Sequence, residues 1–299
     1  MDPIQDIEQI HQSVLPAEVL EYLNPRAGGI YMDGTLGLGG HTQAILRTSA
    51  PDGRVIGFEW DENAICRSRV RLAEFGSRLT IVRRNFAEIG DGLQEAGVEA
   101  LDGLLIDIGL SSLQLDLGER GFSFQRDEPL DMRMDSRRDV TAASILANCS
   151  EQELADIFFY YGEERQARRI AEEVVNRRRQ EPILTSKQFA LLVARAIPKR
   201  FHPQKIHVAT KVFQALRIAV NTELENLAQI LDEAPRWLKP SARFCVISFH
   251  SLEDRMVKRK FRAHPELEVL TQRPVVAGPE ELAANPRARS ARLRVAQRK

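Results

Sequence analysis

Asp33-Gly34-Thr35-Leu36-Gly37-Leu38-Gly39-Gly40-His41 is the stretch that decides the fold. It follows a short apolar run, Ile30–Asp33, and opens a helical pattern over residues 40–48. A glycine-rich turn between a strand and a helix lets the backbone bend sharply and come close to a ligand. Glu59 ends the next apolar run, 20 residues beyond Gly39. An acid at that place accepts hydrogen bonds from ribose hydroxyls. These features suit either a nicotinamide dinucleotide or S-adenosylmethionine. Asp33 separates the two, because a carboxylate at the lip of the turn repels a pyrophosphate and attracts a ligand bearing an ammonium and a sulfonium.

Working outward, strand candidates recur at Ile30–Asp33, Val55–Glu59, Leu79–Arg83 and Leu104–Asp107, with helical patterns near 40–48, 62–75 and 87–96 between them. That rhythm predicts βαβ units and a parallel sheet. Asp107 then lies at the carboxyl edge, where open α/β sheets bind ligands. Phe86 follows the third strand, placed either to pack on an adenine or to fill the core. After Asp107 the rhythm stops, and residues 140–235 read as helical. Ala167, Ile170, Ala171, Val174 and Val175 form one amphipathic stripe. Thr185 or Ser186 caps a second helix carrying Phe189, Val193 and Ile197. The aromatic run Phe158–Tyr161 reads as core. Strand signals return at Phe244–Phe249 and Leu293–Val295. The expectation is an α/β, Rossmann-like fold over residues 1–115 and 216–299, interrupted by a helical insertion at 116–215.

Composition narrows the partners. The chain of 299 residues has 42 basic and 42 acidic residues, so any basic surface must come from local clustering. Cys66, Cys149 and Cys245 are far apart and form no CxxC pair, which argues against a structural metal site or disulfide framework and fits a reducing, cytoplasmic setting. The first 16 residues lack a long apolar run, so no signal peptide is expected. No apolar stretch of 18 residues occurs, so no membrane span is expected either. Two segments are strongly basic. Residues 182–222 hold Lys187, Arg195, Lys199, Arg200, Lys205, Lys211 and Arg217 without an acid. The C-terminal stretch from Asn285 holds Arg287, Arg289, Arg292, Arg294, Arg298 and Lys299, also without an acid. Both are candidate phosphate-neutralising faces or ordinary solvated surface. The run Arg177–Arg179 ends a helix, where dipole compensation accounts for it.

Further motifs then carry a family resemblance. They include His11-Gln-Ser-Val-Leu-Pro-Ala-Glu18, Asp107-Ile-Gly-Leu-Ser-Ser-Leu-Gln-Leu-Asp116, Arg120-Gly-Phe-Ser-Phe124 and Pro129-Leu-Asp-Met-Arg-Met-Asp135. Tyr161-Gly-Glu-Glu-Arg165, Phe213-Gln-Ala-Leu-Arg-Ile218, Ile247-Ser-Phe-His-Ser-Leu-Glu-Asp-Arg255 and Asn285-Pro-Arg-Ala-Arg-Ser290 follow in order. From His11 to Lys299 the chain resembles the bacterial RsmH (MraW) family of 16S rRNA cytosine-N4 methyltransferases. The resemblance implies S-adenosylmethionine as cofactor, bound through Gly39, Gly40, His41, Glu59, Phe86, Asp107 and Gln114. Asp33 and Gly37 join that set from the reading of the turn. It also implies 16S ribosomal RNA as partner, a cytosine of the decoding region as target, and an assembled small subunit as substrate. No membrane or metal partner is implied, and a homodimer is left open. Departures are Glu59 where the family usually has Asp, Ser13 where proline is common, Glu128 before the Pro-Leu-Asp-Met run, and a short stretch after Arg255.

The exocyclic amine of cytosine is a poor nucleophile, since its lone pair is delocalised into the ring. A hydrogen-bond acceptor beside the amine restores lone-pair character and guides the departing proton. Many amino-methyltransferases supply it from an Asp/Asn-Pro-Pro-aromatic turn after the fourth strand. Here that place reads Asp107-Ile108-Gly109-Leu110-Ser111-Ser112. Asp107 is the expected acceptor, with Ser111 and Ser112 either beside it or serving a turn. Phe122 and Phe124 are candidates to stack on the unpaired base, or else to anchor the insertion. His250 and Ser251 are candidates for the cytosine pocket, or else core. Rival readings are a DNA cytosine methyltransferase, a nicotinamide oxidoreductase and a non-catalytic RNA-binding module.

Overall fold

The computed structural model describes residues 12–109 and 119–299. The chain divides into two compact units, one comprising Met1–Ser111 and Leu224–Lys299, the other Ser112–Glu223. The sequence-based end of the insertion at 215 falls inside a helix, Thr210–Asn221, which belongs wholly to the second unit.

The first unit is built on one sheet. Its strands are β1 (Ile30–Asp33), β2 (Arg54–Phe58), β3 (Leu79–Val82), β4 (Leu101–Asp107), β5 (Leu238–Ser248), β6 (Leu267–Val269) and β7 (Arg292–Arg298). They lie in the order β3-β2-β1-β4-β5-β7-β6. The neighbours from β3 to β5 pair in parallel, and β7 runs antiparallel between β5 and β6. The chain winds outward from β1 to β3, then returns to the other side of β1 as β4. That reversal opens a crevice beyond the carboxyl ends of β1 and β4, the usual ligand position in open α/β sheets.

Period-two alternation explains why the sheet is covered on both faces. Tyr31, Val55, Leu105, Cys245 and Ile247 point to one face, where helices α1 (Pro16–Leu23) and α2 (Gly40–Thr48) add Val19, Leu23, Ile45 and Leu46. Met32, Ile56, Leu104, Ile106, Phe244 and Val246 point to the other. There α4 (Ile89–Glu95) adds Ile89 and Leu93, α10 (Glu223–Glu233) adds Leu227, Ile230 and Leu231, and α11 (Ser251–Ala263) adds Val257 and Phe261. Fully burying one such aliphatic side chain stabilises by about 1.5–3 kcal/mol. Helix α3 (Glu62–Arg71) follows β2 and is capped by Asp61, whose carboxylate accepts from the Asn63 N–H at 3.0 Å.

The second unit is helical: α5 (Ala142–Asn148), α6 (Glu151–Asp156), α7 (Ala167–Arg178), α8 (Ser186–Ala196) and α9 (Thr210–Asn221). Reciprocal capping pairs Thr141/Ser144, Ser150/Glu153 and Thr185/Gln188 start α5, α6 and α8. The buried side of α7 is the predicted stripe, Ala167, Ile170, Ala171, Val174 and Val175. The aromatic run is divided rather than wholly core. Its π-helical turn, Ile157–Tyr161, buries Phe158 and leaves Phe159 and Tyr160 exposed. Arg178 explains part of the Arg177–Arg179 run in a way different from its own helix dipole. Its guanidinium donates to the carbonyls of Leu146 (2.8 Å) and Cys149 (2.6 Å), the unsatisfied C-terminal end of α5. Among the described residues no helix is long and apolar enough to cross a membrane.

Candidate active site

The glycine turn stitches the strand ends together. Gly34 N–H donates to Leu105 O on β4 at 2.8 Å, and Leu36 N–H donates to Phe58 O on β2 at 3.0 Å. A side chain at Gly34 would displace its neighbours. A Cβ there would lie 2.3 Å from Ile106 Cδ1 and 3.0 Å from Phe86 Cβ. Gly39 has to be glycine on conformation and space, with φ +79° and Leu72 Cδ1 2.5 Å from where a Cβ would stand.

Register aligns three acids around this turn. Asp33 is level with Gly57 on β2 and Leu105 on β4. Glu59 and Asp107 therefore stand two residues past that level on the flanking chains, one on each side. Asp33 is buried, and each of its oxygens accepts one hydrogen bond. Its Oδ1 accepts from Thr35 N–H at 3.1 Å, and its Oδ2 accepts from Thr42 Oγ1 at 2.7 Å. Burial pushes its carboxyl above the usual range, against the opposing pull of His41 and the Thr42 hydroxyl. Glu59 Oε2 accepts from Gly37 N–H at 2.9 Å, and its Oε1 accepts from the N–H groups of Trp60 and Asp61, each at 2.9 Å. Burial pushes this carboxyl up to about 7, with the three N–H donors opposing it and Asp61 adding to it. A carboxylate has about four acceptor positions, so one remains for a further donor.

His41 opens α2 and is only 6% exposed. Its Nε2 lies 3.6 Å from Asp107 Oδ2. Neither ring nitrogen, nor Asp107 Oδ1, has a hydrogen-bond partner among the described residues. Burial alone would lower the imidazole pKa. The Asp107 carboxylate, with Asp33 and Glu281 behind it, outweighs that and raises it. Buried polar atoms are normally paired, so these atoms are candidates to meet a ligand at the strand edge. Phe86 begins a short 3₁₀ turn capped by Asn85 and lies partly buried beside Gly34.

Two threonines complete the arrangement and were absent from the sequence-based site. Thr35 Oγ1 accepts from the Asp107 N–H at 2.7 Å, fastening the turn to β4. Thr42 holds Asp33, as above. A hydroxyl in the first turn of the helix that follows the glycine turn, next to His41, is the signal that would have found Thr42.

Ser111, Ser112 and Gln114 fall outside the described residues. Phe122 and Phe124 belong to the helical unit, where Arg120 lies over Phe122 at 5.6 Å and Phe124 stacks on His207 at 4.5 Å. His250 caps α11. Its Nδ1 faces the Glu253 N–H at 3.4 Å, and Glu253 Oε2 accepts from the N–H groups of Phe249 and His250 at 2.8 and 3.2 Å. Ser251 is the first residue of that helix. The C-terminal basic cluster is a structural one in large part. Arg294 is buried in β7 and makes a two-pronged pair with Asp254, at 2.6 and 3.2 Å. Arg292 also reaches Asp254, and Arg298 pairs with Glu266.

The sequence matches the MraW methylase family over residues 8–299. It is 68% identical over 293 residues to ribosomal RNA small subunit methyltransferase H of Desulfotalea psychrophila, a match covering 98% of this chain and 99% of that protein. It is 49% identical over 306 residues to the protein of the same name from Geotalea daltonii, covering 96% and 98%. It is 51% identical over 291 residues to that of Cyanothece sp., covering 97% and 95%.

Proposed function

The chain belongs to the MraW methylase family, and on that premise we propose that it is an S-adenosylmethionine-dependent methyltransferase acting on the N4 amine of a cytosine in the decoding region of small-subunit ribosomal RNA. The relatives' name supports ribosomal RNA of the small subunit as substrate. The observation that carries the reading is the set of acids at adjacent strand ends, Asp33, Glu59 and Asp107, around a glycine turn with orphaned polar atoms on His41 and Asp107.

These residues fit the donor. Glu59 has one acceptor position left for a ribose hydroxyl. Phe86 offers a ring beside the glycine turn. Asp33 and Asp107 supply negative charge where a sulfonium and an ammonium need it. When bound, S-adenosylmethionine supplies an electrophilic methyl group. The protein's own task is to place the amine in line with it, and positioning of two reactants supplies on the order of 7–11 kcal/mol of a barrier. Asp107 accepts a hydrogen bond from the cytosine amine and receives its proton. His41, 3.6 Å away, keeps that carboxylate fixed at the strand edge by ion pairing. Ser111, Ser112 and Gln114 are proposed to act with it, His250 and Ser251 to line the base, and Phe122 and Phe124 to stack on bases of the RNA. The unit Ser112–Glu223 is proposed to recognise the RNA.

The test is transfer of a labelled methyl group from S-adenosylmethionine to small-subunit RNA, free and assembled with its proteins, followed by nucleoside digestion and mass spectrometry. The expected product is N4-methylcytidine at one position. Label on a carbon, on another base or on duplex DNA alone would reject the reading.

A further inference from the structure

The sequence offers two basic clusters, and the structure separates them. Of the C-terminal cations, Arg292, Arg294 and Arg298 pair with Asp254 or Glu266. In the segment 182–222, Lys211 Nζ donates to Glu163 O and Arg217 pairs with Glu223. Lys187, Arg195, Lys199, Arg200 and Lys205 remain, all exposed and with no carboxylate partner among the described residues. They follow one another along a short path. Lys187 and Arg195 are eight residues apart on α8, hence on one side of the helix. Ile197 and Pro198 end the helix, and a 3₁₀ turn, Lys199–Phe201, follows.

That turn also displays an aromatic ring. Phe201 is 49% exposed, with the Arg200 guanidinium 4.9 Å from its centroid. Leaving a phenylalanine half in water loses part of the stabilisation that burial would supply. Cations that attract phosphate, interleaved with a ring that stacks on an unpaired base, form the usual chemistry of single-stranded nucleic-acid binding. Duplex RNA would use the cations and leave the ring idle.

Resting on the function proposed above, we propose that α8 and the turn after it form a binding surface for a single-stranded segment of RNA, with Lys199, Arg200 and Lys205 on phosphates and Phe201 stacked on a base.

The experiment uses the full chain and a labelled single-stranded RNA of about 12 nucleotides, titrated at several salt concentrations. The triple variant Lys199→Gln, Arg200→Gln, Lys205→Gln should bind more weakly and lower the slope of log affinity against log salt by about 2, at roughly 0.7 per phosphate contact. Phe201→Ala should weaken binding by about 5- to 100-fold with the slope unchanged. Both variants should melt, and bind S-adenosylmethionine, as the wild type does. Wild-type affinity and slope in both variants would overturn the surface, as would equal losses on a duplex of the same length. Methyl transfer by the wild type is measured alongside. If it transfers to small-subunit RNA while the variants bind normally, the surface fails and the proposed function stands. If the wild type neither binds the RNA nor transfers methyl groups to small-subunit RNA, both fall.

Discussion

Glu59 sets two opposing forces against each other, and pH decides between them. Burial disfavours its charged form, whereas three backbone N–H donors favour it. Burial wins, with the carboxyl at about 7 against an ordinary value of 4.5. That interval corresponds to about 3 kcal/mol at roughly 1.36 kcal/mol per unit. The sign follows from proton counting. Between these values the folded chain holds a proton that the unfolded chain has released, so the Glu59 contribution to stability is full below 4.5 and is lost as pH rises through about 7. A ribose hydroxyl donating to Glu59 selects the ionised form instead. Cofactor binding should therefore release a proton below pH 7, and affinity should rise about 25-fold between pH 5.5 and 7.5. Calorimetry in buffers of different ionisation enthalpy measures both quantities. Glu59→Gln, which cannot ionise, should bind more weakly and lose this part of the pH dependence. A carbon-13 titration of the Glu59 carboxyl with its midpoint near 4.5, together with flat wild-type affinity across that range, would refute the reasoning and show that the N–H donors dominate.

Gly39→Ala should destabilise the first unit by about 2–4 kcal/mol, combining a left-handed backbone with overpacking against Leu72, whereas Gly37→Ala, whose nearest added contact is Thr35 O at 3.8 Å, should cost only about 1–2 kcal/mol. Denaturant titration of the two variants compares them directly. Asp107→Ala should cut methyl transfer by at least about 100-fold while leaving the melting profile in place; wild-type turnover would remove Asp107 from the mechanism. The imidazole of His41 should titrate above its ordinary range and move down in Asp107→Asn, followed by proton NMR. Because that pKa is raised, the His41 contribution to stability is full below about 6.5 and is lost as pH rises through the folded value.

The sheet was legible because its strands are short apolar runs spaced by helices, and β1 matches its predicted bounds at both ends. Strand β4 starts at Leu101, not Leu104, because the polar Asp102 and a register irregularity between Leu101 and Gly103 break the apolar run. Pro240 and Ser241, the latter with φ +68°, hide the first half of β5. The three-residue β6 carries too little pattern to read. The helix expected over 62–75 stops at Arg71 and gives way to a 3₁₀ stretch around Gly76, whose φ is +52°. In the site, Asp33, His41, Glu59, Phe86 and Asp107 converge as the strand-end argument requires. Glu253, three residues beyond His250, has the spacing of a capping pair, and the structure forms that pair at the start of α11. The C-terminal arginines looked free because Asp254 and Glu266 are distant in sequence and meet them only through β7 and its neighbours.

The account rests on a cationic methyl donor binding at the carboxyl ends of β1, β2 and β4. Titration calorimetry of the full chain with S-adenosylmethionine, and in parallel with NAD, addresses this most directly. The expected result is one-to-one binding of S-adenosylmethionine, weakened at least about tenfold by Asp33→Asn, and no heat from NAD. Binding of NAD, or S-adenosylmethionine affinity indifferent to Asp33, would contradict it.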